Sequence, residues 1–373
     1  MKFEVYRDSL IYPLSILSSI IQTKPTIPIF SQFFLSLTDS TLTIIASDSE
    51  IQITASVEIH STDLDSSTTF NFTLPAKKFS EICRNLLPGS LLKFDINELQ
   101  AILRSGRNRY QLMLLNPESF TIYSMQASLF SISLPQNDIK WLLAKSSFCM
   151  AIKDIRLYLN GLLLEFRGNT LIAVATDGHR LAFSSINLAD DFSANKIILP
   201  RNTALELNRI LENTTDLCNL NFSNSSFEIS IGSISILSNL INEVYPDYDR
   251  VIPNDLPYIF TIDRELLKSS ILRTASLIPD KLSAINFSFS FNHLSLSIAS
   301  IDHDNSVEDL DIDFSYDITY AVGFNISYFL DVINAIDDKN IVINLPHDIN
   351  TTSALFHGLH DNSYRYVIMP IKP

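Results

Sequence analysis

Glycine is scarce, with 8 in 373 residues, which argues against Gly-rich phosphate loops and repetitive low-complexity tracts. Cysteine is scarcer still. Cys83, Cys149 and Cys218 lie far apart with no CxxC spacing, so they read as reduced thiols and exclude a disulfide framework or a zinc site. Positive charge is in deficit: 27 Lys and Arg against 41 Asp and Glu leave a net charge of −14. That excludes a chain holding nucleic acid by bulk charge, but not a basic patch on an acidic body. Only 18% of residues are charged while 46% are apolar, which excludes intrinsic disorder. Long apolar runs are also missing: the stretch Leu10 to Ile21 is broken by Pro13 and several serines and is shorter than a bilayer requires. The N-terminus, with Lys2, Glu4, Arg7 and Asp8, is charged from the start and reads as no signal peptide. GxSxG, HExxH and P-loop motifs do not occur. The expectation is a soluble, cytoplasmic protein with no membrane partner, no cofactor, no metal and no catalytic residues.

A chain of 42.1 kDa is too long for one ordinary core and predicts two or three domains. Strand-like alternation is clear in Thr41–Ala46, Phe227–Ile231 and Leu294–Ile298. A helix that Pro75 opens places Phe79, Ile82, Cys83, Leu86 and Leu87 on one face before Pro88-Gly89 stops it. That helix returns twice, with Glu81, Glu206 and Asp331 in equivalent places 125 residues apart. A second helix recurs at Leu10, Ile139 and Leu266, each after an acidic candidate N-cap: Asp8, Asp138 and Asp263. A strand recurs at Thr41, Thr170 and His293. Three element types repeating in one order, with a period too long for a solenoid, predict an α+β chain of three homologous domains. Each has two helices on a mostly antiparallel sheet, and the boundaries fall at 1–125, 126–252 and 253–373. The joints lie in Asn116–Leu129 and in Glu243–Phe260, which carries Pro246, Pro253 and Pro257; Pro13 sits awkwardly inside the first helix.

The predicted helices cover 8–21, 75–87, 138–150, 200–212, 263–277 and 325–338. They carry ten basic and ten acidic residues, so the whole net charge of −14 resides outside them. The mid-helix faces are therefore positive relative to the rest of the protein. Helix propensity alone favours Lys and Arg there, while a helix-lined surface for phosphates is the sharper reading. With no aromatic-plus-basic base-reading motif, such binding would be blind to sequence.

Val174-Ala175-Thr176-Asp177-Gly178-His179-Arg180-Leu181-Ala182 resembles the central signature of the bacterial DNA polymerase III beta subunit family, the sliding clamps. The resemblance continues in Arg156–Gly161, Tyr245–Tyr248, Arg250–Pro253, Gly323–Tyr328, Tyr366–Ile371, Met1–Phe3 and Pro25–Ile29, in order along the whole chain. It implies a non-catalytic processivity factor whose two copies join head to tail into a ring around double-stranded DNA. Helices would face the hole and acidic sheets the outside, while first-to-third-domain contacts pair the sheet edges. The implied partners are the replicative polymerase catalytic subunit, the clamp-loader complex and other proteins carrying a clamp-binding peptide. Carried over by position, the peptide pocket comprises Leu159, Thr176, Gly178, His179, Arg180, Leu181, Pro246, Arg250, Val251, Ser353, Val367, Met369, Pro370 and Ile371. The implied DNA contacts are Lys24, Lys153, Arg156 and Tyr158, and Leu157 stands where the family usually has an aromatic. Lys77, Arg84, Arg201, Arg209, Lys268 and Arg273 are further helix-face candidates. The implied dimer contact includes Tyr110, Ser276 and Leu277. Ser276 takes a commonly apolar place, and Pro373 departs from the family's ending.

The same residues bear on other classes of protein. Locally, Asp177-Gly178 reads as a two-residue hairpin turn, which argues against Asp177 and His179 as a base and its orienter. His357, His360 and Asp361 read as a surface loop, and Asp309, Asp311 and Asp313 as one acidic strand face, not as cation ligands. A monomeric peptide-binding scaffold that does not encircle DNA shares the pocket but lacks the ring.

Overall fold

Six helices form among the described residues, each entered from a strand with no intervening turn. They are α1 (Arg7–Leu17), α2 (Ala76–Asn85), α3 (Gln136–Ser146), α4 (Arg201–Ile210), α5 (Arg264–Thr274) and α6 (Ile326–Ala335). The computed structural model describes the chain except residues 23–25, 66–67, 126, 255, 278–283, 300–304, 349–352 and 372–373. The strands end at Tyr6, Pro75, Pro135, Pro200, Asp263 and Asn325, one residue before each helix. Proline suits this junction because its extended backbone ends a strand and it has no N–H to leave unpaired. Pro75 is accordingly the residue before α2 and not its first helical residue.

The direct entry also corrects two of the expected caps. Asp263 does cap α5, its side chain accepting the Leu266 N–H at 2.9 Å, and Asn325 caps α6 in the same way. Asp8 and Asp138 instead lie inside α1 and α3, and Asp8 accepts the Gly89 N–H at 2.8 Å. The repeat slips with them: Leu10 and Ile139 are fourth in their helices and buried, but the equivalent in α5 is the buried Leu267, with Leu266 exposed. Pro13 is accommodated within α1, where it is buried with Leu10, Leu14, Ile16 and Leu17. The helices stop short of their expected C-terminal ends.

All paired strands are antiparallel. The chain divides into two compact units, Met1–Ile139 with Arg209–Leu240, and Lys140–Asn208 with Ile241–Pro373. The expected central third is thus shared between them, because its strands complete sheets begun by the other thirds. In the first unit, an eight-stranded sheet runs Phe130–Pro135, Leu217–Phe222, Ser226–Ile231, Ile234–Asn239, Ile51–Glu58, Thr41–Ser47, Gln32–Leu37 and Phe70–Pro75. The junction between thirds is the pairing of Ile236 with Ile53. A five-stranded sheet runs Ser61–Thr62, Lys2–Tyr6, Leu91–Ile96, Gln100–Ser105 and Asn108–Met113.

In the second unit, a six-stranded sheet runs Gly161–Thr176, Arg180–Pro200, Tyr364–Ile368, Ala354–Gly358, Asn340–Leu345 and Tyr258–Asp263. Its junction pairs Leu181 with Val367. A four-stranded sheet runs Asn305–Asp311, His293–Ala299, Ala284–Ser290 and Tyr320–Asn325. Leu42, Leu171 and Leu294, the apolar residues of the recurring strand, are all fully buried, which is the alternation the sequence carries. Each helix buries an i, i+3, i+4 stripe, such as Ala76, Phe79, Ser80 and Cys83 on α2 and Ile326, Phe329, Val332 and Ile333 on α6. The cysteines are buried free thiols, and burial pushes Cys83 up to about 12 and Cys218 up to about 11, so neither is a thiolate at neutral pH. Among the described residues no helix is long and apolar enough to cross a membrane.

Candidate functional site

The loop between strands Gly161–Thr176 and Arg180–Pro200 is built by its own side chains. Thr176 pairs with Leu181 across the strands, and three residues, 177–179, connect the strands, not two, correcting the expected tight hairpin. Thr176 Oγ1 accepts the Gly178 N–H at 3.1 Å, and Asp177 Oδ1 accepts from His179 N at 2.9 Å and Arg180 N at 3.0 Å. Gly178 sits at φ 89°, where a side chain would be strained. Asp177 is therefore spent on turn geometry, and His179 is left exposed at the tip.

The C-terminal strand Tyr364–Ile368 lies beside this hairpin and then bends. Met369 N donates to His179 O at 2.8 Å, and Ile371 N donates to Gly323 O at 2.8 Å, so the tail is fastened at both ends. Between the fastenings lies a cleft of about 270 Å³ lined by His179, Asn325, Tyr328, Met369, Pro370 and Ile371. The His179 and Tyr328 rings stack with centroids 6.4 Å apart. Asn325 and Tyr328 were not among the expected pocket residues. Both stand in the Gly323–Tyr328 block that carried the resemblance, and the Asn325 cap, accepting the Tyr328 N–H at 3.1 Å, fixes them together.

The other expected pocket residues fall into distinct places. Leu159, Leu181 and Val367 are buried, and the last two join Leu163, Val174, Tyr245, Tyr248 and Ile252 in an apolar floor under the hairpin and the C-terminal strand. Thr176 and Gly178 shape the loop. Ser353 is half-buried at the head of strand Ala354–Gly358, whose Ala354 pairs with Ile368. Pro246, Arg250 and Val251 are exposed on the segment that packs on the floor through Tyr245, Tyr248 and Ile252. Arg180 points inward, with Nε to Asp177 at 3.0 Å, Nη1 to Asp331 at 2.7 Å and Nη2 to Phe148 O at 2.9 Å. It also lies 4.3 Å over the Tyr328 ring, so it supports the cleft from behind. Buried Lys145 makes a parallel tie at the end of α6, donating to Ala335 O and Asp337.

Gly323 is required by close approach. A Cβ there would stand 3.0 Å from Ile371 O and 3.3 Å from Asn286 Oδ1. Gly323→Val is therefore expected to push the tail off its strand and weaken occupancy of the cleft by about tenfold, roughly one lost backbone hydrogen bond. Isothermal titration with a peptide of the kind the sequence resemblance implies reads this, and unchanged affinity would mean the tail tolerates displacement.

Among the expected DNA contacts, Lys24 lies outside the described residues. Lys153 is exposed at φ 57°. Arg156 is held by Asp154 through two 3.0 Å bonds, and this contact brings the half-buried Asp154 carboxyl down to about 2. Tyr158 is half-buried and packs edge-on against Tyr245 at 6.2 Å. Lys77 and Arg84 are exposed on α2, as is Arg209 on α4; Lys268 is half-buried on α5. Arg201 donates to Met150 O at 2.8 Å, and Arg273 pairs with Glu308. Of the expected dimer residues, Tyr110 lies on strand Asn108–Met113, the last strand of its sheet. Ser276 is exposed in the 3-10 turn Ala275–Leu277, and the Leu277 side chain lies outside the described residues.

His357 lies on strand Ala354–Gly358 and not in a loop, its Nδ1 2.7 Å from Gly358 O, while His360 N donates to Asp338. Asp309, Asp311 and Asp313 are exposed. Among the described residues no group of three or more His, Cys, Asp or Glu could hold a metal.

The strand-into-helix unit thus occurs six times along the chain, and one cleft is built where the hairpin tip, the first turn of α6 and the tail meet. The family models for the DNA polymerase III beta subunit match end to end: N-terminal domain at 1–124, central domain at 133–247 and C-terminal domain at 249–372. The beta sliding clamp of Haemophilus influenzae is 32% identical over 372 residues, covering all of both chains. Among solved structures, DNA polymerase III subunit beta from Pseudomonas aeruginosa superposes with a TM-score of 0.94 at 28% identity over the whole of both chains. A DnaN sliding clamp from the same organism bound to griselimycin gives 0.93 at 28%, again over all of both chains. The chain belongs to the DNA polymerase III beta subunit family, the non-catalytic sliding clamps that confer processivity on the replicative polymerase.

Proposed function

We propose that two copies of this chain close head to tail into a ring around double-stranded DNA. The ring tethers the replicative polymerase catalytic subunit, the clamp-loader complex and other clamp-motif proteins through the cleft of His179, Tyr328 and Met369. The domains are 1–125, 126–252 and 253–373, with the first domain of one copy meeting the third of the other. The observation that carries the tether is the tail-built cleft: apolar anchors enter, Met369 adapts to them, and Asn325 and backbone groups fix polar atoms. The solved clamp bound to griselimycin is support from a relative.

Two sheet edges support the ring. Strand Asn108–Met113 ends its sheet with Arg109 exposed and Arg107 exposed in the turn before it. Strand Asn305–Asp311 ends another sheet with Asp309 and Asp311 exposed. Unpaired, such edges invite aggregation, and joining edges of opposite charge between copies satisfies both. Sliding follows from weak, largely water-mediated phosphate contacts, with topology and not affinity preventing loss.

DNA contact is expected to be electrostatic. Reversing Lys24 and Lys153 to Glu should weaken direct DNA binding and shallow its salt dependence by roughly 1 to 2 in log–log slope, with little change in peptide affinity. Fluorescence anisotropy across a salt series reads both, and an equal loss of peptide binding would show that the two sites are not separate.

A further inference from the structure

Tyr248 is almost wholly buried, its ring in the floor cluster with Leu181 and Val367, so its hydroxyl must find a partner inside the protein. That partner is Glu165, whose Oε2 accepts the hydroxyl at 2.6 Å from strand Gly161–Thr176. A carboxylate whose side chain is 5% exposed is tolerable only with cations around it. Arg167 supplies Nε at 3.0 Å and Nη2 at 2.9 Å, and Lys196 supplies Nζ at 3.4 Å. Arg167 Nη2 also reaches Tyr248 Oη at 3.0 Å and Asp249 Oδ2 at 3.0 Å, which closes the network on the 3-10 turn Tyr248–Arg250. Burial, and then Glu165, push the Tyr248 hydroxyl well above the usual tyrosine range, so it remains a donor.

The consequence lies three and four residues onward. Tyr248 O accepts the N–H of Val251 at 2.9 Å and of Ile252 at 3.3 Å, so the backbone of this segment rests on the tyrosine. Arg250 is itself held, among the described residues, by a surface ion pair with Asp247 at 2.8 Å, its side chain 86% exposed. The place of Arg250 and Val251 is therefore set from beneath.

We infer that Glu165 is a positioning residue for the peptide site, acting through Tyr248 to hold the Arg250–Val251 wall against the apolar floor. The inference rests on the peptide-site reading above. It assigns a role to Glu165, Arg167 and Lys196, none of which lines the cleft or faces a proposed DNA contact.

The test uses the full-length protein with a fluorescent peptide from the replicative polymerase subunit, and the isosteric variants Tyr248→Phe and Glu165→Gln. Each should weaken the peptide by about tenfold, one buried hydrogen bond, while sedimentation and melting stay near wild type. Double-mutant cycles then separate positioning from general loosening. The Tyr248→Phe loss should largely vanish on an Arg250→Ala background and add fully to Met369→Ala. Additivity with both, or no loss in either single variant, overturns the inference. Hydrogen exchange of the Val251 and Ile252 amides, read without peptide, should quicken at least tenfold in Tyr248→Phe. Unchanged exchange also overturns it. If the wild-type chain binds no peptide, the site reading fails, and the exchange result still decides whether the tether exists.

Discussion

Deleting residues 369–373 is expected to abolish useful peptide binding while leaving a folded dimer. The strand Tyr364–Ile368 keeps its pairing with the hairpin, because the Leu181–Val367 register lies wholly before the cut. Met369 and Ile371 are 42% and 37% exposed, so their removal takes little from the core. What goes is one wall of the cleft and both fastenings of the tail, to His179 O and Gly323 O. Losing the contacts of two apolar anchors costs about 2–4 kcal/mol of binding, or roughly 30- to 1000-fold in affinity. Fluorescence polarisation with a polymerase peptide measures the loss, and primer-extension length measures its consequence. Normal processive synthesis at wild-type protein concentration would contradict the placement of the site on the tail.

Tyr110→Asp is expected to give a monomer. Tyr110 is half-buried on the edge strand Asn108–Met113, so in the isolated chain the change is mild. In the proposed ring the same position is covered by the other copy, and an unpaired charge buried there costs about 3–5 kcal/mol. The substitution also places a negative charge next to Arg109 and faces the acidic edge Asn305–Asp311, turning attraction into repulsion. Sedimentation equilibrium at submicromolar concentration should give the mass of one chain, 42.1 kDa. A dimer there would move the interface away from this edge.

The three-fold plan was legible because it rests on local signals: helix stripes, alternation and a 125-residue spacing shared by Glu81, Glu206 and Asp331. All three fall at the sixth residue of α2, α4 and α6. The other helix repeat misled by one residue at Leu266 because its acidic residues were aligned as caps. Only Asp263 is one, since α1 and α3 start directly from strands ending at Tyr6 and Pro135. Division of the central third between two units was illegible, because no local pattern says which edge a strand will join. In the cleft, His179 and the tail were readable, whereas Tyr328 arrives through the first turn of α6, far along the chain. Arg180 looked like a ligand-binding cation, and only its reach to Asp331, 151 residues away, shows the charge is consumed internally.

In the proposed ring the protein stays on DNA by topology, because it encloses the duplex. The direct measurement loads labelled protein onto nicked circular DNA with a clamp loader and follows its retention by gel filtration at raised salt, before and after one restriction cut. Enclosure predicts long retention on the circle and rapid loss from the linear ends, both largely indifferent to salt. Equal retention on circle and linear fragment, or loss from both as salt rises, would contradict the ring.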